Sequence, residues 1–246
     1  MTTTTEYELY YWPGIPGRGE LIRLAFEDAG VAYDDVGRRS MPALMRALEP
    51  SGDALTPFAL PVLHHVTSTG TVVVAQVAAI LQYVAPRIGV VPRDDALRLR
   101  AHQLQLTITD VLAEVHDAHH PIASSLYYED QKPEAKKRSE NFRQHRLPKF
   151  LTYFERALTD RAWLLGDEAS YVDLSLFQLI AGLRYAFPLA MAKIEPRFPA
   201  LARVHDAVRA RPRIAAYLAS ARRLPLSEDG IFRHYPALAD DKRAPP

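Results

Sequence analysis

Cysteine is absent from the 246 residues of this chain. That excludes a disulfide framework, a thiolate metal site and a protein thiol nucleophile. Neither sign of charge dominates, since 30 basic residues face 29 acidic ones and leave a formal charge of +1. Binding nucleic acid through its phosphates needs a basic field, so no nucleic-acid partner is expected. Long apolar runs are missing too. The longest, "VVVAQVAAILQYVA", contains Gln76 and Gln82 and is too short to span a bilayer. The stretch "MTTTTEYE" carries neither a basic segment nor an apolar signal core, so a cytoplasmic protein is expected, with no membrane partner. There is no internal repeat and no low-complexity tract. With 48% hydrophobic and 24% charged residues, the composition is that of a folded globular chain, long enough for one large domain or two ordinary ones.

What is present falls into two grammars. From residue 6 to about 88, strand-like and helix-like segments alternate. "EYELYYW" and "VAYDDV" bracket a helix predicted over 17–29, and "MPALMRALE" is weakly helical. Then come "LPVLHHV", a turn at Ser68-Thr69-Gly70, the run "TVVVA" and a helix "QVAAILQYVAPRI". A β-α-β crossover makes its strands parallel and a short hairpin makes them antiparallel, so the prediction is a small mixed sheet covered by helices. Beyond a linker at 89–95 the strand pattern stops. Leu97, Ala101, Leu104, Ile108, Val111, Val115 and His119 recur at steps of three and four, which predicts one helix over 96–120 ended by Pro121. Further helices are expected over 134–158, 171–187, 200–210 and 214–222. Ser170 stands three residues before Asp173 and an apolar run, the spacing of a reciprocal N-terminal cap. The tail over 224–246 has no period, yet Phe232 and Tyr235 predict that it lies on the body. The domains are thus 1–88, α/β, and 96–246, all-helical with an irregular tail.

The stretch "YYWPGIPGRGELIRL" from Tyr10 to Leu24 runs three aromatics into turn punctuation and restarts at once as a helix. It resembles the first strand, active-site loop and first helix of the cytosolic glutathione transferases of the tyrosine type. "LPVL" is similar to the family's Leu-Pro-hydrophobic turn, whose proline is cis. "AQVAAILQYV" stands where the family has Gln-Ser or Glu-Ser before Ala-Ile, and "SYVDLSLF" resembles its capping box. In this order and spacing the four stretches cover nearly the whole chain and are closest to the mu-, pi- and sigma-like classes, as a bacterial-like member. The resemblance implies a thioredoxin-like first domain with a glutathione site, an all-helical second domain, and an apolar co-substrate site between them. It also implies a homodimer, with glutathione as co-substrate and no further cofactor.

The chemistry then asks for a group that holds a thiolate. A thiol titrates near pH 8.5, so at neutral pH it is mostly protonated, and a hydroxyl donor aimed at the sulfur favours the anion. Family members use Tyr, Ser or Cys; cysteine is absent here and the first serine is Ser40, which leaves a tyrosine at the end of the first strand. "YWP" at Tyr11 matches the family pattern. Strand alternation puts Tyr10 and Tyr11 on opposite faces, and Tyr10 stays open as the alternative, because the loop "PGIPGR" is one residue longer than its counterpart. The resemblance implies Trp12 and Arg18 near the glycyl carboxylate, and the backbone of Leu60 beside Pro61 against the cysteinyl unit. Gln76 and Val77 would meet the γ-glutamyl carboxylate at a helix N-terminus. Asp110 would face the γ-glutamyl amine of the neighbouring subunit. Val77 departs from the family's Ser or Thr and loses a hydroxyl bond there. In "HDAHH", His116, His119 and His120 have helical spacing, but no carboxylate or cysteine cluster supports a metal, so none is expected. A helix end lining the second-substrate cleft, with Tyr127 and Tyr128 nearby, is the reading adopted. Three functions stay open: an enzyme joining the glutathione thiolate to an electrophilic, apolar small molecule, a non-catalytic binding protein on the same fold, and a glutathione-dependent isomerase or peroxidase using the same site.

Overall fold

The computed structural model describes residues 6–50 and 55–239. The first half begins with strand β1 (Tyr7–Tyr10) and helix α1 (Gly19–Ala29). Strand β2 (Asp34–Asp35) and the short helices α2 (Val36–Arg39) and α3 (Met41–Arg46) follow. A hairpin of β3 (Val62–Thr67) and β4 (Gly70–Ala75) then leads into α4 (Val77–Ile88). The sheet order is β2-β1-β3-β4, with β1 and β2 parallel and the other pairs antiparallel. That is the mixed sheet the alternating segments predict. Two boundaries move. β1 ends at Tyr10, two residues before Trp12, where the chain turns into the Pro-Gly loop. The second strand shrinks to two residues because Gly30, left-handed at φ 70°, closes α1, and the Val31 N–H returns to the Phe26 carbonyl at 3.1 Å.

The second half is helical. Its long α5 (Asp95–Asp117) is capped by the Asp94 carboxylate, which accepts the Leu97 N–H at 2.8 Å. It stops three residues earlier than the periodicity predicts, and the turn at His119 and His120 folds back on the His116 carbonyl. The helix expected over 134–158 runs without a break as α6 (Lys132–Asn141), a π segment at Phe142–Arg146 and α7 (Leu147–Ala157). Then come α8 (Tyr171–Ala186), α9 (Pro188–Ile194), α10 (Pro199–Arg209), α11 (Pro212–Leu218) and the short α12 (Pro236–Ala239).

Helix α8 is the axis of this half. The Ser170–Asp173 cap is reciprocal, and the buried Asp173 also accepts the Leu164 N–H at 2.9 Å, so one carboxylate ties the preceding loop to the helix start. A single apolar cluster runs from Leu9 and Ile22 through Ile108 to Leu174, so both halves share a core. α1 packs on α8 and α11, and α4 on α5. The seam is also ionic: Arg211 pairs with Asp28 at 2.6 Å and Arg222 with Glu27 at 2.8 Å. The tail lies on the body, with buried Phe232 over Gly182 and Tyr235 stacked on Tyr128 at 4.0 Å. Among the described residues no single helix is long and apolar enough to cross a membrane.

Candidate functional site

Three chain segments meet at one end of the sheet. The pairings Tyr10 with Val62 and Val62 with Ala75 set the exit of β1, the entry of β3 and the exit of β4 side by side. Tyr11 follows the first, the cis Leu60–Pro61 bond precedes the second, and Gln76 with Val77 follows the third. The register therefore gathers Tyr10, Tyr11, Leu60, Pro61, Gln76 and Val77. Gln76 sits at φ 70°, a left-handed value costly for a residue with a Cβ, and caps α4 without a side-chain bond. The first-turn N–H groups of α4 thus keep free donors at the positive end of the helix dipole. The Val77 side chain is buried in the core, so only its backbone is offered there.

The two tyrosines are used differently. Tyr10 packs with Val36, Leu44 and Val62, and its hydroxyl donates to the Glu8 carboxylate at 2.8 Å. Tyr11 is buried, and its hydroxyl oxygen accepts the Arg18 N–H at 2.9 Å. Its own proton has no acceptor among the described residues. Burial raises the Tyr11 pKa above the ordinary value, opposed by the Arg18 N–H and by the charges of Arg18 and Arg23. The hydroxyl is therefore a protonated donor at neutral pH. Glycine lets the chain close on this ring. A Cβ at Gly17, itself at φ 45°, would overlap the Tyr11 hydroxyl, and one at Gly37 would overlap the Tyr11 carbonyl oxygen.

The other candidates are more spread out. Trp12 is exposed on the loop, and the half-buried Arg18 gives its backbone N–H to the Tyr11 hydroxyl. Asp110 lies exposed on α5, outside this group and with no ion pair among the described residues. At the end of α5 the His116 and His120 rings stack at 4.9 Å. The His119 and His120 Nδ1 atoms are 3.0 Å apart, and His119 Nε2 bonds the Ile231 carbonyl oxygen at 3.0 Å. Burial lowers the pKa of His116, opposed by the hydrogen bond and charge of Asp117 and reinforced by the charges of Arg18 and Arg233. Among the described residues no group of three His, Asp or Glu could hold a metal. Tyr127 is exposed and Tyr128 buried under Tyr235.

Comparison with known proteins gives this geometry its context. Residues 116–221 match the family model described as glutathione S-transferase, C-terminal domain. A curated glutathione S-transferase of Plasmodium falciparum (isolate 3D7) is 23% identical, with 85% of this chain and 93% of that protein covered. The Pi-class glutathione S-transferase of Onchocerca volvulus superposes with a TM-score of 0.66 at 22% identity, covering 87% of this chain and 92% of its own. Prostaglandin synthase D of Nilaparvata lugens gives a TM-score of 0.67 at 20% identity, covering 90% and 100%. This chain has the glutathione transferase fold.

Within the glutathione transferase fold, one residue near Tyr11 is not singled out by the sequence pattern. Arg23 of α1 is fully buried, and its guanidinium lies 5.8 Å from the centroid of the Tyr11 ring. It donates to Asp35 at 2.7 Å, to the Pro16 carbonyl at 3.2 Å and to Glu20 at 3.4 Å. Glu20, also fully buried, accepts the Tyr217 hydroxyl at 2.8 Å and pairs with Arg223, which reaches Gln178 of α8 at 2.7 Å. A chain of ionic bonds thus runs from beneath Tyr11 to the helical half. The only sequence signal for it is charge, at Glu20 and Arg23, inside a helix stretch that is otherwise apolar.

Proposed function

We propose that this protein is a glutathione transferase, acting in the cytoplasm, that joins the glutathione thiolate to an electrophilic, largely apolar small molecule. The observation that carries the reading is the contrast between two hydroxyls. Tyr10 gives its proton to Glu8, whereas the Tyr11 oxygen accepts the Arg18 N–H and keeps its proton free for a sulfur anion. A donor to the charged form pulls the thiol pKa down from roughly 8.5 and raises the fraction of nucleophile at neutral pH. The N–H bond into the tyrosine oxygen polarises the hydroxyl in the same direction. Conjugation then needs the electrophile held against the sulfur, a gain from proximity and electrostatics with no further cofactor.

The tripeptide would lie across the sheet end. The Leu60 backbone beside Pro61 would pair with its cysteinyl unit as an added strand does, and the α4 N-terminus at Gln76 and Val77 would take the γ-glutamyl carboxylate. Trp12 and Arg18 would meet the glycyl carboxylate. Asp110 would serve the site of a second copy in a homodimer. A non-catalytic binding protein is the second reading, favoured by Val77, whose buried side chain offers no hydroxyl. The missing bond to a charged group is worth roughly 1.5–3 kcal/mol of ligand affinity. Incubation with glutathione and an activated aryl halide tests the choice. Thiol consumption well above the uncatalysed rate supports the enzyme, and none at saturating glutathione supports the second reading.

A further inference from the structure

The histidines at the end of α5 are joined to the tail by a chain of hydrogen bonds whose direction is fixed at both ends. At one end the Arg233 guanidinium, itself held by the Gly230 carbonyl at 2.9 Å, stands 3.2 Å from His120 Nε2. Arginine only donates, so that nitrogen is bare and His120 carries its proton on Nδ1. At the other end His119 Nε2 lies 3.0 Å from the Ile231 carbonyl oxygen. A carbonyl only accepts, so His119 carries its proton on Nε2 and its Nδ1 is bare. The two Nδ1 atoms, 3.0 Å apart, therefore meet as one donor and one acceptor. Both ends demand the same middle bond. The chain closes with both rings neutral and has no place for another proton. On His119 Nδ1 it would face the His120 N–H, and on His120 Nε2 it would face Arg233.

The surroundings keep both rings neutral. Burial drives the pKa of His119 down to about 3 and that of His120 down to about 4. Cations add to it: Arg233 from the tail and His116 one turn back act on both rings, and Arg18 acts on His116. The facing carboxylates, Asp117 of α5 and Glu129 in the turn at Tyr128–Asp130, pull the other way on His120 without outweighing burial. Tyr235 of the tail meets the His119 ring edge-on at 5.9 Å. What the chain fastens is the tail. Past Arg233, the Leu238 carbonyl accepts the Ser139 hydroxyl at 3.0 Å, and Leu238 packs with Tyr128, Ala135 and Tyr235 in a small cluster apart from the main core. Ile231 and Phe232 are seated in the main core, which keeps the segment closed at neutral pH.

We propose that this chain is a proton-operated latch: neutral His119 and His120 fasten the tail segment 230–238 to the end of α5, and proton uptake by either ring unfastens it. In the open segment each ring titrates near its ordinary pH 6.5, whereas in the closed one it stays largely neutral at pH 5. The latch is therefore at full strength above pH 6.5 and weakens as pH falls below it. Through His119 alone, the ratio of open to closed segment rises about 20-fold from pH 7 to pH 5, and His120 multiplies that factor. The latch is independent of glutathione chemistry and stands whether or not Tyr11 activates a thiol.

Hydrogen exchange of the full chain, followed by mass spectrometry and corrected for the intrinsic rate at each pH, reads the latch. Protection of the peptide 229–238 should fall at least about 20-fold from pH 7 to pH 5, while α8 keeps its protection. The side-chain amides of His119→Gln/His120→Gln donate and accept but take up no proton, so in that variant the fall should be at least about tenfold smaller. The parent alone supplies a second test. Nuclear magnetic resonance of the ring nitrogens at pH 7 should find His119 protonated on Nε2 only and His120 on Nδ1 only. A fall in the parent below about fivefold, an equal fall in α8, a double variant that matches the parent, or either ring in the other tautomer would overturn the proposal.

Discussion

Replacing Tyr11 by Phe removes one oxygen and leaves the ring packed against Gly17 and Gly19. Two bonds go with that oxygen: the one it accepts from the Arg18 N–H at 2.9 Å, and the one its proton would give to the thiolate. The first loss falls on stability. A neutral bond of this kind nets about 1 kcal/mol, and the half-buried Arg18 N–H recovers part of it from water. The second falls on chemistry. A hydrogen bond to a charged group is worth roughly 1.5–3 kcal/mol, and at about 1.4 kcal/mol per pKa unit the bound thiol should rise by about one to two units. Below both pKa values, conjugation should therefore drop about 10- to 100-fold and recover at alkaline pH, where the thiol ionises unaided. Tyr10→Phe removes a bond to Glu8 and should leave the thiol curve where it was. Thiolate absorbance of the glutathione complex, titrated against pH in both variants, reads this out. An unmoved Tyr11→Phe curve refutes the assignment, and a moved Tyr10→Phe curve transfers the role to Tyr10.

Arg23→Met should destabilise the protein by about 3–5 kcal/mol in urea titrations, because Glu20 stays buried with its balance of charge broken; a loss under 1 kcal/mol would mean that water enters the network. Acid should weaken the fold through His119, whose pKa burial drives down to about 3, with the neighbouring His120, Arg233 and His116 charges adding to that burial. The unfolded chain takes up a proton near pH 6.5 that folded His119 refuses, so stability present above that pH is lost as pH falls, by roughly 1.4 kcal/mol per unit. In His119→Gln, melting temperature should decline less steeply between pH 6.5 and 4; an identical slope would place the acid sensitivity elsewhere. Sedimentation at micromolar concentration should show a species of twice the 27.6 kDa chain mass, and monomer alone would remove Asp110 from the site.

The fold was legible because its signals are local and periodic. Steps of three and four marked α5, the Ser170–Asp173 spacing marked the cap of α8, and the turn at Ser68-Thr69-Gly70 marked the hairpin. Boundaries were less so, because tertiary bonds set them. The helix over 134–158 widens to a π segment at Phe142–Arg146 without breaking, and β2 is short because α1 ends by capturing Val31. At the site, the aromatic run and Pro-Gly loop pointed to Tyr10 and Tyr11 but not to how each hydroxyl is spent. That depends on Glu8 lying beside Tyr10 and on the loop turning the Arg18 N–H toward Tyr11. Arg23 was invisible for a related reason: its partners Asp35 and Pro16 are assembled only by folding.

Titration calorimetry with glutathione tests the central claim most directly, since every role given to Tyr11, Leu60, Gln76 and Val77 presumes that tripeptide. Saturable binding at one site per chain is predicted, weakened by the hydroxyl missing at Val77 but measurable at millimolar ligand. A folded protein that takes up no glutathione at that concentration would contradict the account.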